Sequence, residues 1–266
     1  MMPRSYLFVP GDRPERFPKA KASGADVVII DLEDAVALEA KDAARDCVRT
    51  WIRTERDVIV RINGVDSAEF DRDIELCRSA GVSTIVIPKA ERREVLASIA
   101  AAAPQATLLP LIETARGIES VGDLAQGERV GRLLIGTVDL QLDLGIRGDS
   151  PDLSYFQSRL VLASRLAHLP PPVDGPCVSV LDTRKLADEL HRARQLGCGG
   201  KLCVHPAQVP AVNLAFQPTP SEISWARRVL EAYEKANGAA VAVDGRMVDR
   251  PVVAMAQNIL AQAKSS

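Results

Sequence analysis

Val27-Val-Ile-Ile30 is four β-branched apolar residues in a row, followed at once by Asp31-Leu-Glu-Asp34. A strand with one wet face alternates apolar and polar positions, so an unbroken apolar run marks a strand covered on both faces, as in a parallel sheet beneath helices. Thr84-Ile-Val-Ile87 reads the same way. Outward from these two, similar runs recur along the chain: Ser5 to Val9, Asp26 to Asp31, Val58 to Asn63, Thr84 to Pro88, Thr107 to Glu113, Leu133 to Thr137, Cys177 to Leu181 and Lys201 to His205. Between them lie charged, alanine-rich stretches with helical spacing: 14–23, 37–54, 68–80, 92–103, 117–125, 155–167 and 183–196, with 220–237 after the last strand. Eight such repeats predict an α/β chain folded as a TIM (β/α)8 barrel. A doubly wound open sheet is the alternative, but no Gly-x-Gly-x-x-Gly follows a strand and no Walker-type Gly-Lys-Ser/Thr occurs.

The 266 residues suit one barrel, expected over residues 1–220 as the catalytic domain. Residues 221–266 exceed what closing a barrel requires and read as a C-terminal helical extension, ending in a helix from Val252 to Lys264. Such a tail either caps its own barrel or reaches over a neighbouring subunit. A net charge of −2 argues against polyanions, so no nucleic-acid partner is expected. No apolar span predicts a membrane segment. Five scattered cysteines and a start lacking a signal-peptide core predict a reduced, cytoplasmic protein. Cys198 and Cys203 lack a second pair at zinc-site spacing and read as buried apolar residues.

The polar residues at the strand ends form a set. Asp31, Glu33 and Asp34 follow the second strand, Arg61 and Asn63 the third, and Lys89 the fourth. Glu113 closes Thr107-Leu-Leu-Pro-Leu-Ile, Asp139 follows Leu133-Leu-Ile-Gly-Thr-Val, and His205 ends the eighth run. Parallel barrels carry their chemistry at the carboxyl ends of the strands, and two carboxylates on nearby strands can share one divalent cation. Glu113 and Asp139 are therefore the expected metal ligands. Arg61 is either a fixed cation for a developing oxyanion or a buried partner of Glu33 or Asp34.

Seven motifs in order carry a family resemblance: Arg4-Ser-Tyr-Leu-Phe-Val-Pro-Gly-Asp, Asp31-Leu-Glu-Asp-Ala-Val, Val60-Arg-Ile-Asn, Pro88-Lys, Leu111-Ile-Glu-Thr-Ala-Arg-Gly, Gly136-Thr-Val-Asp-Leu-Gln-Leu-Asp-Leu-Gly and Val204-His-Pro-Ala-Gln. The chain resembles the citrate lyase β-subunit-like proteins of the HpcH/HpaI aldolase family from near residue 4 through Met247-Val-Asp-Arg-Pro251. The resemblance implies a TIM barrel, Mg²⁺, and a homotrimer or hexamer. It also implies a lyase making or breaking a carbon–carbon bond between a small 2-oxo acid and an acyl-CoA thioester, as with malyl-, citramalyl- or citryl-CoA.

Under that resemblance Glu113 and Asp139 hold Mg²⁺, Glu113 and Arg61 meet the substrate, and Glu33 and Asp34 steer Arg61 and the metal-bound water. Asp249 matches an aspartate that crosses into the neighbouring subunit's mouth as base in related lyases; its local alternative is a helix N-cap before Pro251. Arg16 and Lys19 match positions that contact CoA phosphates, or form a solvated helix face. Val138 departs from the pattern, standing where many relatives carry an acid beside the metal-binding aspartate; the expected result is changed packing there. Asp143 reads as a local cap, and His205 before Pro206 as a loop anchor without chemistry. Three other functions stay open: a citrate lyase β-subunit acting on a carrier-protein thioester, a silent CoA-binding subunit, and a CoA-independent aldolase.

Overall fold

In a computed structural model describing residues 2–55, 58–147 and 153–264, the apolar runs become strands of one closed parallel barrel. In chain order they are β1 (Ser5–Pro10), β2 (Val27–Asp31), β3 (Ile59–Arg61), β4 (Thr84–Ile87), β5 (Thr107–Ile112), β6 (Leu134–Ile135), β7 (Val173–Asp174) and β8 (Gly200–Cys203). Each pairs with the next, and β8 returns to β1 with Ser5 opposite Lys201. Lys201 N also donates to Arg4 O at 2.7 Å across this seam, and the buried Arg132, just before β6, donates from Nη1 to Pro3 O at 2.6 Å.

Around the barrel run α1 (Phe17–Ala22), α2 (Lys41–Ile52), α3 (Phe70–Ala80), α4 (Arg93–Ala102), α5 (Ala115–Glu119), α6 (Val121–Ala125), α7 (Thr137–Leu144), α8 (Ser154–Leu166), α9 (Thr183–Leu196) and α10 (Val209–Ala215). Local chemistry sets their ends. Asp182 accepts from the N–H groups of Arg184 and Lys185 to start α9, and left-handed Gly197 stops it.

Strand parity decides where the polar residues go. Tyr6, Ile29, Val86, Leu109, Leu111, Leu134, Val173 and Leu202 fill the barrel interior, with Phe8 and Ile59 packed against them. Side chains alternate faces along a strand. Asp31, two beyond Ile29, therefore points inward, as do Arg61 after Ile59 and Glu113 after Leu111. Asp174 and Lys201 flank inward residues and so face the helical layer.

Two strand expectations need correction. The seventh strand is not Cys177 to Leu181: it is the two residues Val173–Asp174, wedged between Pro170-Pro-Pro172 and Gly175-Pro176. Prolines lack the ladder donor and cut the strand short, while the β-branched 177–181 stretch lies outside the sheet with Leu181 92% exposed. The sixth strand ends at Ile135 rather than Thr137, because α7 begins at Thr137. Asp139 therefore stands in a first helical turn, not on a strand end. Neither α7 nor α10 was expected.

One compact unit spans Pro3–Ala215, and a second is formed from Phe216 onward. In the second, α11 (Pro220–Lys235) opens with a capping box between Thr219 and Glu222. The antiparallel strands β9 (Val241–Val243) and β10 (Arg246–Val248) follow, then α12 (Arg250–Lys264). Ala226, Val229, Val243, Val248, Val253 and Ala256 form its own core. The hairpin was not expected; Asp244 and Gly245 both take positive φ, 52° and 74°, as the two-residue turn that matches strand twist demands. No helix among the described residues is long and apolar enough to cross a membrane.

Candidate metal and substrate site at the barrel mouth

Asp31 and Arg61 face each other across the β2–β3 ladder. Arg61 Nε reaches Asp31 Oδ1 at 2.7 Å and Nη2 reaches Oδ2 at 2.6 Å, a bidentate pair. The same oxygens accept the backbone N–H groups of Glu33 and Ala35, at 2.9 and 3.1 Å. Arg61 also lies over the Phe8 ring, 4.8 Å from its centroid. Burial works against its charge, but the hydrogen bonds and charge of Asp31, then Glu33 and Glu113, hold its pKa above the ordinary arginine value. Arg61 is thus a fixed cation, and its principal partner is Asp31 rather than Glu33 or Asp34.

The turn after β2 is held from outside the ring. Buried Lys41 donates from Nζ to Leu32 O at 2.6 Å and Glu33 O at 2.7 Å, and Asn63 Nδ2 donates to Leu32 O at 2.9 Å. Glu33 therefore reaches inward from a rigid turn. Its Oε1 meets Lys89 Nζ at 2.7 Å. Its Oε2 lies 2.9 Å from Arg61 Nη1 without hydrogen-bond alignment, so this buried oxygen lacks a donor. Burial raises the Glu33 pKa above the ordinary glutamate value, Arg61 and Lys89 oppose that, and the nearby charge of Asp34 adds to it. Asp34 itself is exposed and borders a cleft of about 350 Å³ shared with Glu33, Asn63, Lys89, Glu91 and Thr114.

Glu113 sits just beyond β5 and is 1% exposed. Its Oε1 accepts from the backbone N–H of Lys89 at 2.8 Å, and its other oxygen lies against Gly136, where any Cβ would overlap the carboxylate. Burial, then the negative charge of Glu33 and that of Asp139, pushes its pKa up to about 8, with Lys89 N–H and Arg61 opposing. The charge count explains the direction. Arg61 neutralises Asp31 and Lys89 neutralises Glu33, leaving Glu113 and Asp139 without a cation of their own. A divalent cation is the complement of that pair, and two hard carboxylates with open positions suit one that keeps waters or takes substrate oxygens. Among the described residues no three His, Cys, Asp or Glu side chains converge to enclose a metal ion.

The structure thus brings Arg61, Glu33, Glu113 and the charge of Asp139 together. Asp143 accepts from Ala115 N at 2.6 Å and so caps α5, and His205 Nδ1 accepts from Ala207 N at 3.2 Å as a loop anchor. Val138 is 48% exposed and lines a narrow cleft with Gln157, Asp174 and Glu189. Arg16 and Lys19 are exposed just after β1, Arg16 3.9 Å from Glu15. Asp249 belongs to the C-terminal unit, where its Oδ1 accepts from Val252 N at 3.4 Å. Two roles escaped the sequence reading. That Asp31 is Arg61's partner was legible in the two-residue spacing Ile29, Asp31; the backbone role of Lys89 had no sequence signal.

Comparison with known proteins finds relatives along nearly the whole chain. A (3S)-malyl-CoA thioesterase of Cereibacter sphaeroides is 37% identical over 98% of this chain and 95% of its own. A citrate lyase subunit beta-like protein of Mycobacterium tuberculosis is 36% identical, covering 97% of this chain and 94% of its own. The crystal structure of CitE from M. tuberculosis in complex with magnesium, acetoacetate and coenzyme A superposes with a TM-score of 0.88 at 35% identity, over 98% of both chains. The family model for HpcH/HpaI aldolase/citrate lyase matches residues 4–206, and the chain belongs to that family.

Proposed function

We propose that this protein is a Mg²⁺-dependent carbon–carbon lyase that cleaves, or forms, a 3-hydroxyacyl-CoA such as malyl-, citramalyl- or citryl-CoA, giving acetyl-CoA and a 2-oxo acid. The observation that carries the reading is the excess of carboxylate at the mouth: Glu113 and Asp139 remain after Arg61 and Lys89 have each been matched to another acid. Mg²⁺ bound there would supply Lewis-acid charge and a template for the oxo acid's oxygens. Arg61, held rigid by Asp31, donates to the oxygen that becomes negative as the bond breaks. Glu33 flanks Arg61, while Asp34, at the exposed edge of the cleft, would orient water around the site.

Inside the ring no acid is spare to take the hydroxyl proton, since carboxylates committed to a cation or an arginine are poor bases. Asp249 is the base in this reading, delivered by the C-terminal segment 221–266 packing on a neighbouring subunit of a homotrimer or hexamer. Arg16 and Lys19 meet the CoA phosphates. The free state of all five cysteines suits a reducing cytoplasm.

Purified protein with acetyl-CoA and each of glyoxylate, pyruvate, oxaloacetate and acetoacetate, with Mg²⁺ or EDTA, tests this by mass spectrometry. An EDTA-sensitive new acyl-CoA mass is the expected result. The thioesterase relative motivates a second reading, hydrolysis of a malyl-CoA-like thioester. It predicts free hydroxy acid and CoA from the preformed thioester with no oxo acid released. Binding of CoA without either product would leave a carrier-protein-dependent complex or a silent subunit.

A further inference from the structure

Lys89 is a lysine in a conformation lysines avoid. Its φ is +47°, in the left-handed region where a Cβ crowds the following carbonyl. Of the described non-glycine residues with positive φ, it alone contacts the inward acids of the mouth; the others are Arg129, His168, Asn237 and Asp244. Such strain persists where surrounding contacts over-determine it.

The contacts around Lys89 show what the strain achieves. Strand β4 pairs with β5 as far as Ile87 opposite Pro110. Ala90 N then rejoins the sheet by donating to Leu111 O at 3.2 Å. Between these points the backbone turns so that the N–H of Lys89 leaves the ladder and points at Glu113 Oε1, 2.8 Å away. Gly136 closes in on the other Glu113 oxygen. The carboxylate is therefore held on one side by a main-chain donor and on the other by a main-chain wall, before any cation arrives. The ammonium of the same residue goes elsewhere, to Glu33.

We propose that Lys89 is a positioning residue whose left-handed backbone aims its N–H at Glu113 and so presets that carboxylate for a divalent cation, independently of its side-chain charge. This rests on the metal reading of Glu113 given above. A pair of variants separates backbone from charge. Lys89→Gly and Lys89→Val both lose the ammonium, but glycine adopts positive φ freely while a β-branched residue resists it.

The probe is Mn²⁺ alone, titrated into metal-stripped full-length protein and followed by loss of the free-ion paramagnetic resonance signal. Lys89→Gly is expected to bind Mn²⁺ about tenfold more tightly than Lys89→Val, and Lys89→Asn, which tolerates the same backbone, to follow glycine. Equal affinities for Lys89→Gly and Lys89→Val would overturn the proposal. Should Lys89→Val not fold, Lys89→Ala against Lys89→Gly makes the same comparison, with the same reading of equality. Glu113→Gln is the separate control: wild-type Mn²⁺ affinity in that variant would sink the metal assignment itself, whereas lost affinity there with equal Gly and Val values would sink Lys89's role alone.

Discussion

Two clusters of buried charge sit a few strands apart in the same barrel, and they are built to opposite ends. Facing the helices, Lys201 Nζ meets Asp174 at 2.6 Å and Glu189 at 3.1 Å, and Gln157 donates to the second Asp174 oxygen at 2.5 Å. Burial alone would strip the proton from Lys201, but the two acids hold it charged above the ordinary lysine range. Facing the interior, Arg61 and Lys89 are matched to Asp31 and Glu33, and Glu113 is left to respond by holding a proton. In the first cluster both acids touch the one ammonium; in the second neither Arg61 nor Lys89 pairs its side chain with Glu113. Unpaired buried charge is tolerated in a fold chiefly where function uses it, so this difference marks the mouth as the chemical end.

Substitutions should separate the two. Glu113→Ala and Asp139→Asn are expected to cost roughly 10³-fold or more in metal-dependent turnover while leaving the far-ultraviolet circular dichroism unchanged; wild-type rates in both would remove the metal from the mechanism. Asp249→Asn should lower the rate by about 10² to 10⁴ with Mg²⁺ binding intact if it supplies the base. Asparagine caps a helix as well as aspartate does, so stability should hold, and an unchanged rate returns Asp249 to capping. Lys201→Met has the inverse signature. It leaves Asp174 and Glu189 buried without their cation and should cost about 3–5 kcal/mol in denaturant unfolding, with Mn²⁺ affinity preserved; a loss of metal affinity at unchanged stability would contradict the division.

A pH dependence is also expected. Glu113 has a folded-state pKa raised to about 8, above its unfolded value. Its contribution to stability is therefore fully present below the unfolded glutamate value and is lost as pH rises toward 8. In EDTA the wild type should lose melting temperature relative to Glu113→Gln between about pH 4.5 and 8. Added Mg²⁺ competes with that proton, so its stabilising effect should grow over pH 6 to 8 and level off above. A Mg²⁺ effect independent of pH would mean that the cation does not displace a proton from Glu113.

The barrel was legible because burial on both faces writes itself as consecutive apolar residues, as in Val27-Val-Ile-Ile30. The inward acids were legible because each follows such a run. Where the rule failed, a local constraint overrode it. Prolines squeezed β7 to two residues and left the more strand-like Cys177 to Leu181 outside the sheet. Gly136 lies too close to Glu113 to carry a side chain, and the chain turns helical there, putting Asp139 on a helix. The Val243-Asp-Gly-Arg246 hairpin carries one of the strongest short-range turn signals, yet it was absorbed into the expected helical extension of 221–266, because the flanking strands are three residues each. Lys89's backbone could not have been read at all, since a left-handed lysine leaves no trace in residue type.

The seam between β1 and β8 imposes a schedule. Ser5 pairs with Lys201, so β1, made first of the eight, finds its second neighbour only after about 200 residues more have been made. At roughly 5–20 residues per second, that is about 10–40 s during which one edge of β1 stays open to any other strand. The mouth acids lie at the ends of β2 and β5 and in α7, all translated before that closure. Newly made chains thus hold Asp31, Arg61, Lys89, Glu113 and Asp139 while the ring that orients them is still unclosed, and they are most exposed to edge-to-edge association in that interval.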